Sequence, residues 1–202
     1  MRLFSYVVTF DTGFAPNPFW GFLTLACCKP KIRLTASPGD LVVGLAPSRF
    51  GSGVVYVARI DEKMTFHQYW QDSRFEAKRP RADGASILDR CGDNIYQPVE
   101  PQGYRQLHSA HSSKGGEEDE GAKHHDLSGR FVLASSDFSY FGAAPIPLPD
   151  AFRSLIVKRG HRSRFPEGFV AEVDGWRRSL PRGVQDRPQR WRDGDESWRE
   201  TR

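Results

Sequence analysis

Gly39-Asp40-Leu41-Val42-Val43-Gly44-Leu45, followed by Gly51-Ser52-Gly53-Val54-Val55-Tyr56-Val57-Ala58-Arg59-Ile60, decides the fold class. Gly-Asp is a turn signal, and the run after it is apolar at successive positions rather than at alternate ones. That pattern marks a strand covered on both faces. The second run is β-branched and is reached through a Gly-Ser-Gly connection. Upstream, Leu3–Phe10 is a third β-rich run. Downstream, Thr65–Phe75 changes period: Phe66, Tyr69 and Trp70 recur at helical spacing, and Thr65 is placed to cap a helix N-terminus.

Later segments follow the same mixture. Arg130–Ala134 reads as a strand, and the three prolines of Ala143–Pro149 require extended chain. Phe152–Val157 suits a strand or a short helix. Phe169–Leu180 reads as a helix with Phe169, Val173 and Trp176 on one face, ended by Pro181. Short strands, few helices and turn-rich connections predict an α+β chain: a β-rich small barrel or open barrel with short peripheral helices. One domain over 1–180 is expected, with an acidic surface loop at about 112–127. The segment 181–202, rich in Arg, Asp and Trp without an apolar stripe, reads as a basic, poorly ordered tail.

The chain has 202 residues, 38% of them hydrophobic, which suffices for one core. Its net charge of +4 is uneven. Residues 1–60 and 151–202 are basic, whereas residues 61–150 are acidic and include Glu117-Glu118-Asp119-Glu120. No apolar run reaches the ~20 residues of a membrane span. The N-terminal apolar stretch is short and broken by Ser5 and Thr9, which argues against a signal peptide. Three cysteines, two of them adjacent (Cys27, Cys28, Cys91), argue against a disulfide framework and suit a reducing cytoplasm.

Several clusters carry chemistry. Lys29-Pro30-Lys31-Ile32-Arg33 gathers three cations able to neutralise phosphates, and Lys158–Arg164, with Arg159 and Arg162, forms a second basic patch. Either serves equally well as a solvated turn. Phe19-Trp20 and Tyr69-Trp70 offer faces on which a base can stack, or aromatic mass for the core. Asn17, between two prolines, can read a base edge or close an Asx turn. Asp93, Asn94 and Tyr96 form one polar group; Asp137 and Tyr140 form another, and His161 follows Gly160. An enzyme would use Asp93 or Asp137 as base or nucleophile and His161 as proton shuttle. His108, His111, His124 and His125 lack metal-ligand spacing, so no metal is expected. Phosphate-loop and dinucleotide fingerprints are also absent, and no cofactor is expected.

Seven strings in order carry a resemblance: Asn17–Phe22; Cys28–Arg33; Gly39-Asp40; Tyr69–Asp72 with Lys78–Pro80; Gly92–Tyr96; Ser136–Gly142; and Arg159–His161. Together they resemble the second of the nucleotide-modification-associated domain families, bacterial and phage domains proposed to accompany DNA base modification. The resemblance spans about residues 1 to 180. More weakly, the turn at Gly39-Asp40 and the strands after it are similar to PUA-like and EVE-like barrels, which hold a modified base in an aromatic pocket. The implied function is binding of nucleic acid, DNA with a modified base above all. Lys29, Lys31, Arg33, Arg159 and Arg162 would hold phosphates and Trp20 or Trp70 would stack on the base. Asn17, Asn94, Asp93 or Asp137 would read its edge, beside Phe19, Tyr96, Tyr140 and His161. An enzyme acting on a nucleotide or nucleobase is the first alternative. An accessory protein that binds a base-modification enzyme is the second.

Overall fold

The strand-rich reading is realised in a computed structural model that describes residues 1–201. The apolar runs form the centre of a six-stranded sheet. β1 (Leu3–Val7) pairs in parallel with β3 (Leu41–Leu45), and β3 is antiparallel to β4 (Val54–Arg59). Leu41, Val43, Val54 and Val57 pack on one face, against Val170 and Val173 of a helix over Glu167–Arg178. Phe4, Tyr6, Val42 and Ala58 face the opposite core. Burial on both faces is why these strands read as near-continuous apolar runs.

Around this centre stand β2 (Leu23–Leu25), β5 (Glu62–Thr65), β6 (Tyr96–Pro98) and β7 (Tyr104–Gln106). Next come β8 (Phe131–Ser135), β9 (Asp137–Tyr140), β10 (His161–Arg162) and β11 (Gly183–Val184). The large sheet runs β10-β1-β3-β4-β9-β11; β2-β8-β5 makes a second sheet and β6-β7 a hairpin. The helices are α1 (Pro30–Thr35), α2 (Phe66–Gln71), α3 (Ile87–Arg90), α4 (Glu120–Leu127) and α5 (Glu167–Arg178). The α+β class is as the sequence implies. The sheets remain open, and among the described residues they close no barrel. α2 begins at Thr65, whose hydroxyl accepts from Gln68 N while Gln68 Oε1 accepts from Thr65 N, a reciprocal cap.

Two expectations are corrected. The expected acidic loop is helical over its second half: α4 occupies Glu120–Leu127, and Asp119 caps it by accepting from Ala122 N. The tail is ordered. Trp191 and Trp198 are 5% and 3% exposed, and the Trp191 ring lies 5.3 Å from Phe19. Two isolated tryptophans leave no periodic stripe, yet each buries a large apolar area. Of the two readings of Phe152–Val157, the short helix is the one realised, as a 3-10 helix over Asp150–Leu155.

Candidate functional site

The site is built where β2 passes into α1. The connecting turn sets Cys28 at φ 58° and Lys29 at φ 43°, two successive residues in the left-handed region. L-residues rarely adopt that conformation, and surrounding contacts must hold it. Here the contacts are visible. Cys28 N donates to Asp126 Oδ1 at 2.7 Å. The fully buried Arg33 donates to Cys28 O at 2.8 Å, Phe131 O at 2.8 Å and Asp126 O at 2.5 Å. Gly129 leaves room for that guanidinium: a Cβ there would stand 2.6 Å from the Arg33 Cζ.

The strained turn presents Cys28 to a cavity of about 330 Å³ lined also by Tyr6, Phe10, Phe14, Lys29 and His111. Cys28 Sγ lies 3.5 Å from His111 Nε2, and His111 Nδ1 lies 2.6 Å from Asp126 Oδ2. A carboxylate only accepts, so Nδ1–H is the donor to Asp126, which leaves Nε2 facing the sulfur. Tyr96 OH donates to the same Asp126 oxygen at 2.8 Å. Burial opposes charge on both partners. Their partners outweigh it: Asp126 and Cys28 together raise the His111 pKa to about 10, and His111, Cys28 N and Tyr96 OH together hold Asp126 below the usual carboxylate range. The Phe14 ring lies 4.8 Å from the imidazole, and Lys29 Nζ lies 4.7 Å from the centre of the Tyr6 ring.

A basic rim adjoins this cavity. β10, the edge strand of the large sheet, pairs with β1, setting His161 opposite Tyr6. Partial burial and the nearby charges of Lys31 and Lys29 lower the His161 pKa. The two basic segments of the sequence therefore meet at one edge of the large sheet, with Lys31 and Arg162 exposed.

Other expected site residues lie elsewhere. Asn17 is buried, its amide donating to Gly13 O and Cys91 O and its Oδ1 accepting from Lys78 at 2.5 Å. Asp93 is buried against Tyr69 OH (2.6 Å), Thr24 Oγ1 (2.8 Å) and Ala26 N. Asn94 holds Tyr69 O and Phe75 O. Phe19, Tyr96 and Tyr140 are core residues, and Tyr140 OH donates to Asp11. Trp20 borders a hollow beside Arg79 and Arg81, and Trp70 lies under Arg79; neither lines the cavity. Arg159 is exposed in the turn before β10.

The expected acid–base pairs are not assembled. Asp137 is bound to Arg177 at 2.7 Å and Arg182 at 3.2 Å. It sits on β9, four strand positions from His161 on β10, which is roughly 19 Å at normal strand spacing. Asp93 has both oxygens committed to Tyr69, Thr24 and Ala26. A hollow of about 470 Å³ beside Pro18, Phe138 and Arg182 includes no comparable cluster, since its Arg182 is paired with Asp137.

Cys28, His111 and Asp126 were not singled out together from the sequence. They are 83 and 15 positions apart, in a turn, a loop and a helix, and match no local motif. Cys27 Sγ, a His111 nitrogen and an Asp126 oxygen also lie within 4.8 Å of one another, a donor set of the kind zinc accepts. But Nδ1 and Oδ2 stand at the 2.6 Å of a hydrogen bond, whereas two ligands on tetrahedral zinc stand about 3.4 Å apart. The donors as placed suit a proton relay.

A family model described as nucleotide modification associated domain 2 matches residues 1–195, a span that includes Trp191. No curated protein and no solved structure matches. Among the described residues no helix is long and apolar enough to cross a membrane.

Proposed function

The chain belongs to the nucleotide modification associated domain 2 family, and from that premise we propose that the cavity beside β1 receives a nucleotide unit in the service of nucleotide modification. The unit is a free nucleotide or a base turned out of a nucleic-acid strand, carrying a modification. The observation that carries this reading is an aromatic-walled cavity lined by Lys29, with Lys29 and Lys31 both close enough to His161 to lower its pKa. An apolar hollow with cations at its rim suits a ligand that is a flat ring at one end and a phosphate at the other. Tyr6, Phe10 and Phe14 supply the aromatic part of the cavity lining in place of Trp20 and Trp70. Lys31, exposed, is the cation able to meet phosphates, whereas Arg162 is turned to Ser154 O and the Phe165 ring and Arg33 is committed to three backbone carbonyls.

A binding panel of nucleotides and short oligonucleotides, plain and modified, tests the reading. Affinity is expected to fall with added salt, and Lys31→Ala is expected to reduce the logarithmic salt slope by about 1. Absence of binding by every member at low salt overturns it.

A further inference from the structure

We propose that Cys28, His111 and Asp126 are a nucleophilic triad and that the protein carries out acyl transfer through a thioester on Cys28. A nucleophile within hydrogen-bond reach of a base, itself oriented by a third group, is the arrangement that activates a thiol. All three relations are met: Sγ to Nε2 at 3.5 Å, Nδ1 to Oδ2 at 2.6 Å, and a cavity onto which the sulfur opens. The strained strand–turn–helix placement is independent of those distances. Such a turn lifts a nucleophile out of the backbone so that substrate can reach it, and the cost of two left-handed residues persists only where contacts enforce it. The other two cysteines are buried, and Cys27 Sγ points to Asp93 O.

The step balances without an oxidant. Cys28 passes its proton to His111 Nε2, and the sulfur attacks the carbonyl carbon of an amide or ester. The C–N or C–O bond breaks, Nε2–H gives its proton to the departing nitrogen or oxygen, and a thioester remains on Sγ. Water, or the amine of an acceptor, then attacks the same carbon while its proton goes to Nε2. The C–S bond breaks and the thiol is restored. Asp126 is a positioning residue: it fixes the imidazole tautomer and favours its charged form. The thiol chemistry stands on the triad alone. That the acyl group is borne by a nucleotide rests on the reading of the cavity proposed above.

Intact-mass measurement of the full chain treated with p-nitrophenyl acetate tests the proposal. One acetyl group on Cys28 is expected, labile to hydroxylamine, together with nitrophenol release. Cys28→Ala and Cys28→Ser abolish the label, and His111→Ala slows acetylation about 100-fold. Free imidazole restores part of the rate in His111→Ala, an effect a merely structural histidine would not show. Equal acetylation in wild type and His111→Ala, or label on other residues only, overturns the proposal. So does stoichiometric zinc held by the three side chains. Acetylation without nucleotide binding keeps the triad and removes the nucleotide substrate; nucleotide binding without acetylation does the reverse.

Discussion

His111 Nδ1 sits 2.6 Å from Asp126 Oδ2, and the Asp126 side chain is wholly buried. The same carboxylate accepts from Cys28 N and Tyr96 OH. One side chain of α4 therefore fixes both the turn that carries the sulfur and the loop that carries the imidazole. A buried carboxylate with several donors keeps its charge, and a charged carboxylate favours a protonated imidazole.

The pair gives stability a defined pH dependence. The folded His111 pKa is about 10, against roughly 6.5 for an unfolded histidine. Its contribution is complete below about 6.5 and is lost as pH rises towards 10. The Asp126 pKa is depressed, so its contribution is present above roughly 3.9 and is lost as pH falls below that. Urea unfolding of wild type minus His111→Ala is expected to give a difference that is largest between about pH 4 and 6.5 and shrinks on the alkaline side. A difference that grows with pH sinks the assignment.

Lys78 acts in the opposite sense over the same alkaline range. It is fully buried and donates to Asn17 Oδ1 (2.5 Å), Asn17 O and Phe22 O. Burial lowers its pKa to about 8, against roughly 10.4 when unfolded. Between those values the unfolded chain binds more protons, so stability rises with pH. Lys78→Met should therefore lack a rising alkaline limb that wild type shows, read from denaturant midpoints. If both limbs match, Lys78 is charged throughout.

Arg33 and Lys31 stand two positions apart and should behave in opposite ways. Arg33→Ala leaves three backbone carbonyls without their donor, and breaking a buried charged network costs about 3–5 kcal/mol. Lys31 is exposed, and Lys31→Ala should stay within about 0.5 kcal/mol of wild type while weakening anion binding. Chemical denaturation of both variants decides the matter. Wild-type stability in Arg33→Ala with selective loss of nucleotide affinity would restore Arg33 as a phosphate clamp.

The contrast between these two cations shows what the sequence made legible. β3 and β4 were readable because burial on both faces leaves runs of consecutive apolar residues rich in valine. α2 was readable because Thr65 and three aromatics fix its start and its face. The basic patches were readable as composition, and their meeting at β1 follows from one pairing, Tyr6 with His161. The role of Arg33 was not, since a cation beside Lys29 and Lys31 has the same signature whether it meets phosphate or backbone carbonyls. The cluster at Cys28 was hidden for a different reason. Its members come from three segments joined only by tertiary packing, and the left-handed backbone at Cys28 leaves no mark in residue type.

The C-terminal segment offers the last test, because it braces the cavity from behind. Trp191 Nε1 donates to Thr12 O at 2.8 Å, and Gln189 N and Arg190 N donate to Asp11. These bonds hold the loop that carries Phe10 and Phe14 into the cavity wall. Trp191→Ala removes a buried indole and its hydrogen bond, at a cost of about 3–5 kcal/mol. Because the loop loses its brace, the variant should also lose nucleotide affinity and acetylation of Cys28, even where it remains folded. Trp191→Phe, which keeps the packing on Phe19 but not the bond to Thr12, should fall between the two. Thermal melts and acetylation rates measured on the same samples separate the effects. A chain cut after residue 180 that melts and reacts like wild type would show that the segment is passive.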